Sequence, residues 1–252
     1  MRVPIIAGNW KMNKTVSESV EFVNYIKNEL PDPSEREIVL AAPTLSLTSM
    51  VQAAKDTPLK IAAENCYCRI AGAYTGETSP RSLSLAGIHH VILGHSERRR
   101  LFNETDELIN QKVQVALRNG LCPIVCCDDT MGRRIAGKKV RWVVSRILAD
   151  LKGLSPADVT KVTMAFEPSW AIGTGQSADP EQAAEGCYLI RQTIRDMYGE
   201  DIGNAVRILY GGSVNETNIK ALMAYDDIDG VLVGGASLDP DRFLKLVLNC
   251  SE

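Results

Sequence analysis

Eight short apolar runs, most of them carrying β-branched residues, recur at about thirty-residue spacing along the chain. They read PIIAGN (4–9), EIVLAA (37–42), KIAAEN (60–65), HVILG (90–94), PIVCC (123–127), VTMAF (162–166), VRILYGG (206–212) and DGVLVGG (229–235). Such runs are apolar at consecutive rather than alternate positions, the mark of strands buried on both faces in a parallel sheet covered by helices. Segments between them carry a 3.6-residue apolar period. Val16, Val20, Val23, Ile26 and Leu30 share one helical face; Ala183, Ile190, Ile194 and Met197 share another, opened by Asp179 as N-cap and Pro180 at the first helical position. The last helix starts the same way, with Asp239 and Pro240 before Phe243, Leu246, Val247 and Cys250.

Strand and helix alternate throughout the 252 residues, which predicts an α/β fold. The expected form is a closed (β/α)8 barrel, eight parallel strands inside an outer ring of helices, as one domain over 1–252. A doubly wound sheet usually has fewer strands and a glycine fingerprint after the first, whereas the first turn here reads AGNWKMN. No linker, low-complexity stretch or composition break interrupts the pattern.

A net charge of −3, with 23% charged and 45% hydrophobic residues, gives no electrostatic reason to expect nucleic acid or an anionic membrane as a partner. No run of about 18 apolar residues occurs, and the start MRVPIIAGNW has no signal-peptide core, so no membrane association is expected. Seven cysteines, an odd number with Cys122, Cys126 and Cys127 in an apolar run, fit a reduced, cytoplasmic protein.

In a barrel of this kind the C-terminal strand ends face the active site. Those ends collect Asn9, Lys11, Glu64, Asn65, His95, Asp128, Asp129, Glu167, Ser213, Gly234 and Gly235. His95 precedes SERRR, where Ser96 is a plausible N-cap and Glu97 lies in the first turn. The helix dipole disfavours a protonated ring there, so a neutral imidazole is expected, and its alternative role is simply to cap the helix. His89 and His90 sit at the far end of the same strand and read as structural. Lys11, two residues past strand one, is either a solvated loop lysine or a partner for an anion. YGGSV (210–214) and VGGAS (233–237) end the last two strands, where paired glycines let backbone N–H groups approach a phosphate. Glu167 is the candidate general base, with Lys11 and His95 placed to stabilise a forming enediolate. The stretch after it, EPSWAIGTG, reads as a lid: Pro168 stiffens one hinge, Trp170 and Ile172 form an apolar body, and Gly173, Thr174 and Gly175 supply the second hinge.

The motifs GNWKMN, GAYTGETSP, ILGHSERR, FEPSWAIGTG, YGGSV and VGGASL, in this order, resemble the triosephosphate isomerase family over the whole chain. The resemblance implies interconversion of dihydroxyacetone phosphate and D-glyceraldehyde 3-phosphate through an enediolate, in glycolysis and gluconeogenesis, without cofactor or metal. It implies catalytic roles for Glu167, His95, Lys11, Asn9 and Glu97, and a phosphate held by Gly173, Ser213, Gly234 and Gly235, with Asn9 and Lys11 binding substrate. It also implies a homodimer in which Thr75 reaches the partner's site. Five positions depart from the family's usual residues: Asp128 and Asp129 in CCDDTMGRR, Phe166 for tyrosine, Ser169 for valine and Glu64 for glutamine. Cys66-x-Cys68 has no second ligand pair to complete a metal set. A Schiff-base aldolase or metal-dependent epimerase on the same fold finds little support, because the sixth strand ends in Glu167 rather than a lysine. A non-catalytic phosphometabolite-binding barrel is the alternative from another class, and the intact set of Asn9, Lys11, His95, Glu97 and Glu167 argues against it.

Overall fold

The structure is a computed structural model that describes residues 2–130, 132, 135–169 and 179–250. All eight expected strands form: β1 (Ile5–Asn9), β2 (Glu37–Ala42), β3 (Lys60–Ala63), β4 (His90–Leu93), β5 (Cys122–Asp129), β6 (Thr163–Pro168), β7 (Arg207–Tyr210) and β8 (Gly230–Val233). Each pairs in parallel with its sequence neighbours, and β8 closes onto β1, giving a closed barrel in the order β1 to β8. Two strands run further than the apolar pattern suggests. β5 extends through Asp128 and Asp129, and β6 through Glu167 and Pro168, with Asp128 opposite Glu167 in register. Backbone pairing carries these polar residues into the sheet although their intrinsic strand preference is poor.

The period of two along each strand divides the core. Ile5, Ala7, Val39, Ala41, Ala62, Ile92, Ile124, Cys126, Ala165, Leu209 and Leu232 pack inside the barrel. Intervening residues such as Ile6, Leu40, Val91, Val125, Met164 and Ile208 face outward and meet the helices. Four of the inward positions are alanines, which leaves room for the branched side chains that fill the rest of the interior.

Helix α1 (Val16–Ile26) begins at a capping box between Thr15 and Glu18. Its buried face is Ser19, Phe22, Val23 and Ile26. This corrects the sequence pattern at both ends: Val16 is exposed, and Leu30 lies beyond the helix. The physical reason is local. A short turn after Lys27 ends the helix, and the face is set by Phe22, whose ring packs edge-on against buried Trp10 with centroids 4.9 Å apart. The helices Pro180–Tyr198 and Pro240–Asn249 start as expected, at Asp179 and Asp239, whose side chains accept from the backbone N–H groups of Gln182 and Arg242.

Closure depends on a tight seam. Gly230 has φ of 142°, and a Cβ placed on it would lie 2.0 Å from the carbonyl oxygen of Ile5. No side chain fits at Gly230, where β8 begins against Ile5 of β1. Gly230→Ala is therefore expected to cost roughly 3 kcal/mol or more and lower the thermal midpoint by roughly 6–12 °C, measured by circular dichroism.

Candidate active site

The C-terminal strand ends open into a cavity of about 1030 Å³ whose lining includes Asn9, Lys11, His95, Glu97, Glu167, Ser213, Gly234 and Gly235. The sequence-predicted residues are thus brought together from β1, β4, β6, β7 and β8. Thr75 lies away from this cavity, exposed on the loop after β3. Gly173, with the rest of the proposed lid from Trp170 to Gly175, falls outside the described residues.

Asn9 ends β1, and its Oδ1 accepts from the backbone N–H of Lys11 at 3.2 Å. Lys11 has φ of 55°, an uncommon conformation for a residue with a side chain, and its Nζ donates to Glu97 Oε1 at 2.6 Å. Glu97 comes from the helix Ser96–Leu101. The sequence offers either Ser96 or His95 as the cap of that helix; in the structure it is His95, its Nδ1 accepting from the N–H of Glu97 at 3.2 Å. An imidazole nitrogen can take the place usually filled by a serine or aspartate oxygen. Ser96 is thereby free to donate its backbone N–H to Glu167 Oε2 at 2.8 Å, a contact the sequence did not suggest.

Glu167 is almost fully buried, and its Oε1 lies 2.8 Å from Nε2 of His95. Burial works to raise the carboxyl pKa, but His95, the Ser96 N–H and Lys11 outweigh it and hold the group below its ordinary value. For His95, burial works downward, and the charge and hydrogen bond of Glu167 outweigh it, so the ring sits above its ordinary pKa. This corrects the expectation that the helix terminus alone sets the ring; the neighbouring carboxylate dominates while the two are in contact. The bond accepted at Nδ1 fixes the tautomer, leaving the Nε2 proton directed at Glu167.

On the other side of the cavity, Gly211 approaches the base closely. A Cβ there would stand 3.1 Å from Glu167 Cγ, and its N–H donates to the carbonyl of Phe166 at 2.8 Å. Gly234 and Gly235 begin a 3₁₀ turn through Ser237, while Ser213 is tied down by Asn218, whose Nδ2 donates to its carbonyl at 3.0 Å.

Four of the five departures from the family pattern have a partner or a packed neighbour. Asp128 Oδ1 meets Arg146 Nη1 at 3.0 Å. The carbonyl of Asp129 accepts both the N–H and the hydroxyl of Ser169, at 3.0 Å each, so a polar bridge ties β5 to the end of β6. Phe166 packs against Gly186, with the Lys139 ammonium 5.7 Å from its ring centre. Cys66 and Cys68 are buried free thiols, and burial pushes Cys66 up to about 12. Among the described residues no group of three or more His, Cys, Asp or Glu could hold a metal ion, and no helix is long and apolar enough to cross a membrane.

A carboxylate, an imidazole and an ammonium gathered at the C-terminal mouth of a closed parallel barrel define the class of (β/α)8-barrel enzymes. Comparison with known proteins narrows the class. The family model for triosephosphate isomerase matches residues 4–250. The chain is 55% identical over 247 residues to the triosephosphate isomerase of Lactiplantibacillus plantarum, covering 98% of both chains. It is 54% identical over 246 residues to that of Lactobacillus delbrueckii subsp. lactis and 51% over 247 to that of Ligilactobacillus salivarius, with the same coverage. The chain belongs to the triosephosphate isomerase family.

Glu64 carries a consequence for stability. Its Oε1 is buried with no hydrogen-bond partner among the described residues, and burial raises the carboxyl to about 7 despite opposing interactions with Lys11 and His95. A folded-state pKa above the unfolded one means that this group's contribution to stability is fully present below about pH 4.5 and is lost as pH rises through about 7. Glu64→Gln is expected to raise the thermal midpoint at pH 8 by several degrees, a gain that vanishes towards pH 4.5 in paired melts.

Proposed function

We propose that this chain is a cofactor-independent ketose–aldose isomerase of one domain, interconverting dihydroxyacetone phosphate and D-glyceraldehyde 3-phosphate through an enediolate in glycolysis and gluconeogenesis. The observation that carries the reading is the buried Glu167 carboxylate held 2.8 Å from His95 beside the Lys11–Glu97 ion pair. A carboxylate is a weak base towards a carbon acid, so the forming negative charge on oxygen must be stabilised as the proton leaves. Glu167 moves from the Ser96 N–H and His95 to the substrate carbon, and shuttles the proton between C1 and C2. That movement withdraws the carboxylate that supports protonation of His95, while the Glu97 N–H continues to occupy Nδ1. The ring is left neutral with a proton on Nε2, able to polarise the carbonyl without adding charge. Triosephosphate isomerases are themselves a standard illustration of a glutamate base working with a neutral histidine, so this pairing of roles is inherited from the family.

Asn9 and Lys11 bind substrate, Lys11 with its ammonium oriented by Glu97. Gly173, Ser213, Gly234 and Gly235 hold the phosphate through backbone groups. Every step is a proton transfer or charge stabilisation for which the chain supplies its own groups. The protein acts in the cytoplasm as a homodimer, with Thr75 inserted beside the partner's active site. Met12, Leu45, Tyr74 and Phe102, on the loops after β1, β2 and β3 and just after the Ser96–Leu101 helix, are exposed apolar side chains that support this assembly.

Glu167→Gln is expected to lower turnover by about 10²–10⁴-fold or more in a coupled isomerase assay, with binding of a phosphate-bearing competitive inhibitor retained. Near-normal turnover in that variant would overturn the assignment. Diluting the protein until sedimentation shows monomer should abolish activity; a fully active monomer would remove the role given to Thr75.

A further inference from the structure

The barrel has a second mouth. Glu37, Lys60, His90, Cys122 and Arg207 are the first residues of β2, β3, β4, β5 and β7, so parallel pairing gathers them at the end opposite Glu167. With His89 they line a cavity of about 350 Å³. Lys60, Arg207 and two imidazoles face a single carboxylate there, and that carboxylate is already engaged. Arg207 Nη1 lies 2.5 Å from Glu37 Oε2, and His90 Nε2 lies 3.2 Å from its Oε1. Burial works to raise Glu37, but His90 and Arg207 outweigh it and bring it down to about 2.

Nδ1 of the buried His90 ring has no hydrogen-bond partner among the described residues. His89 is lowered first by burial, with Lys60 and His90 adding to it and Glu37 opposing. Cys122 remains a neutral thiol because burial raises its pKa. Two helices, Pro80–Leu85 and Asp106–Arg118, end at this mouth, and helix C-termini favour cations. Their terminal carbonyls are nevertheless taken within the chain: Leu83 and Ser84 accept from Ile88 and Gly87, and Ala116 and Leu117 accept from Leu121 and Gly120. Helix capping therefore does not account for the cations.

We propose that this cavity binds a phosphate dianion, free or as the end of a small phosphoester, between Lys60, His89 and Arg207. Three donors, from the first residues of β3 and β7 and from the residue just before β4, match an anion with several acceptor oxygens better than a carboxylate with two, and the Arg207 guanidinium keeps N–H groups besides the Nη1 held by Glu37. The volume suits a small ligand. The site lies at the opposite end of the barrel from the catalytic mouth and does not depend on the isomerase assignment.

The chain has three histidines, so their ring protons can be followed individually by NMR. Inorganic phosphate is added to the Lys11→Ala protein, in which the catalytic mouth has lost its ammonium and only His95 reports on that end. Saturable shifts of His89 and His90, a rise in the His89 pKa and weaker binding at high salt are expected. Lys60→Ala in the same background should weaken the phosphate constant at least about tenfold, while Lys60→Ala alone leaves isomerase turnover unchanged. Tighter binding of glycerol 3-phosphate than of phosphate at these resonances would identify the phosphoester form, and the reverse order the free ion. Shifts no larger than those from sodium chloride at equal ionic strength, or an undiminished constant in both Lys60→Ala and Lys60→Glu, would overturn the proposal.

Discussion

Closing eight parallel strands into a ring is the constraint on which everything else here rests. A closed sheet has no free edge, so every strand must fit two neighbours at once, and the seam between Ile5 and Gly230 admits no side chain. The same closure sorts side chains in two directions. Alternate residues go inward or outward, and the first and last residues of the strands collect at opposite ends. One end receives Asn9, Glu167 and the residues just past β4; the other receives Glu37, Lys60, His90 and Arg207. Two polar clusters on a mainly apolar frame follow from topology alone.

Buried charge is managed by pairing at several levels below the catalytic mouth. Arg99 joins Asp106 and Asp150 and donates to the carbonyls of Gly94 and Cys126, binding the end of β4 to β5. Arg191 does similar work at the opposite end, meeting Asp227, Asp229 and the carbonyls of Gly203 and Val206. Removing one member of such a set would leave a buried charge without compensation, which costs more than the pair itself contributes. The Arg99 network reaches the lining of the catalytic cavity and fixes the ends of β4 and β5 there, while the Arg191 network holds the segments before β7 and β8 at the other end.

Much of this was legible in the residues. Runs of apolar residues marked all eight strands because burial on both faces leaves so simple a pattern. Polar strand ends were not legible: Asp128, Asp129 and Glu167 extend β5 and β6 because each strand supplies the other's hydrogen bonds, a tertiary effect invisible to local preference. The face of α1 was misjudged at Val16 and Leu30, since a periodic count cannot see where a turn ends the helix. Individual site residues were readable from their positions at strand ends, whereas their contacts were not. Nothing in the sequence shows that Ser96 supports Glu167 through its backbone, or that a serine at 169 would be matched by the carbonyl of Asp129. The resemblance supplied chemical roles; the geometry supplied the reasons those residues can be held where they are.

The capping of the Ser96–Leu101 helix by His95 joins two properties that are normally independent. Adding a proton at Nδ1 would break the bond to the Glu97 N–H and loosen the first turn of the helix that carries Glu97, and with it the grip on Lys11. Local folding thus selects the tautomer, and the free energy of that turn opposes the ring's second proton. Asparagine at this position could preserve the cap yet would lack a titratable proton, so helix integrity and proton handling separate only when the imidazole itself is replaced.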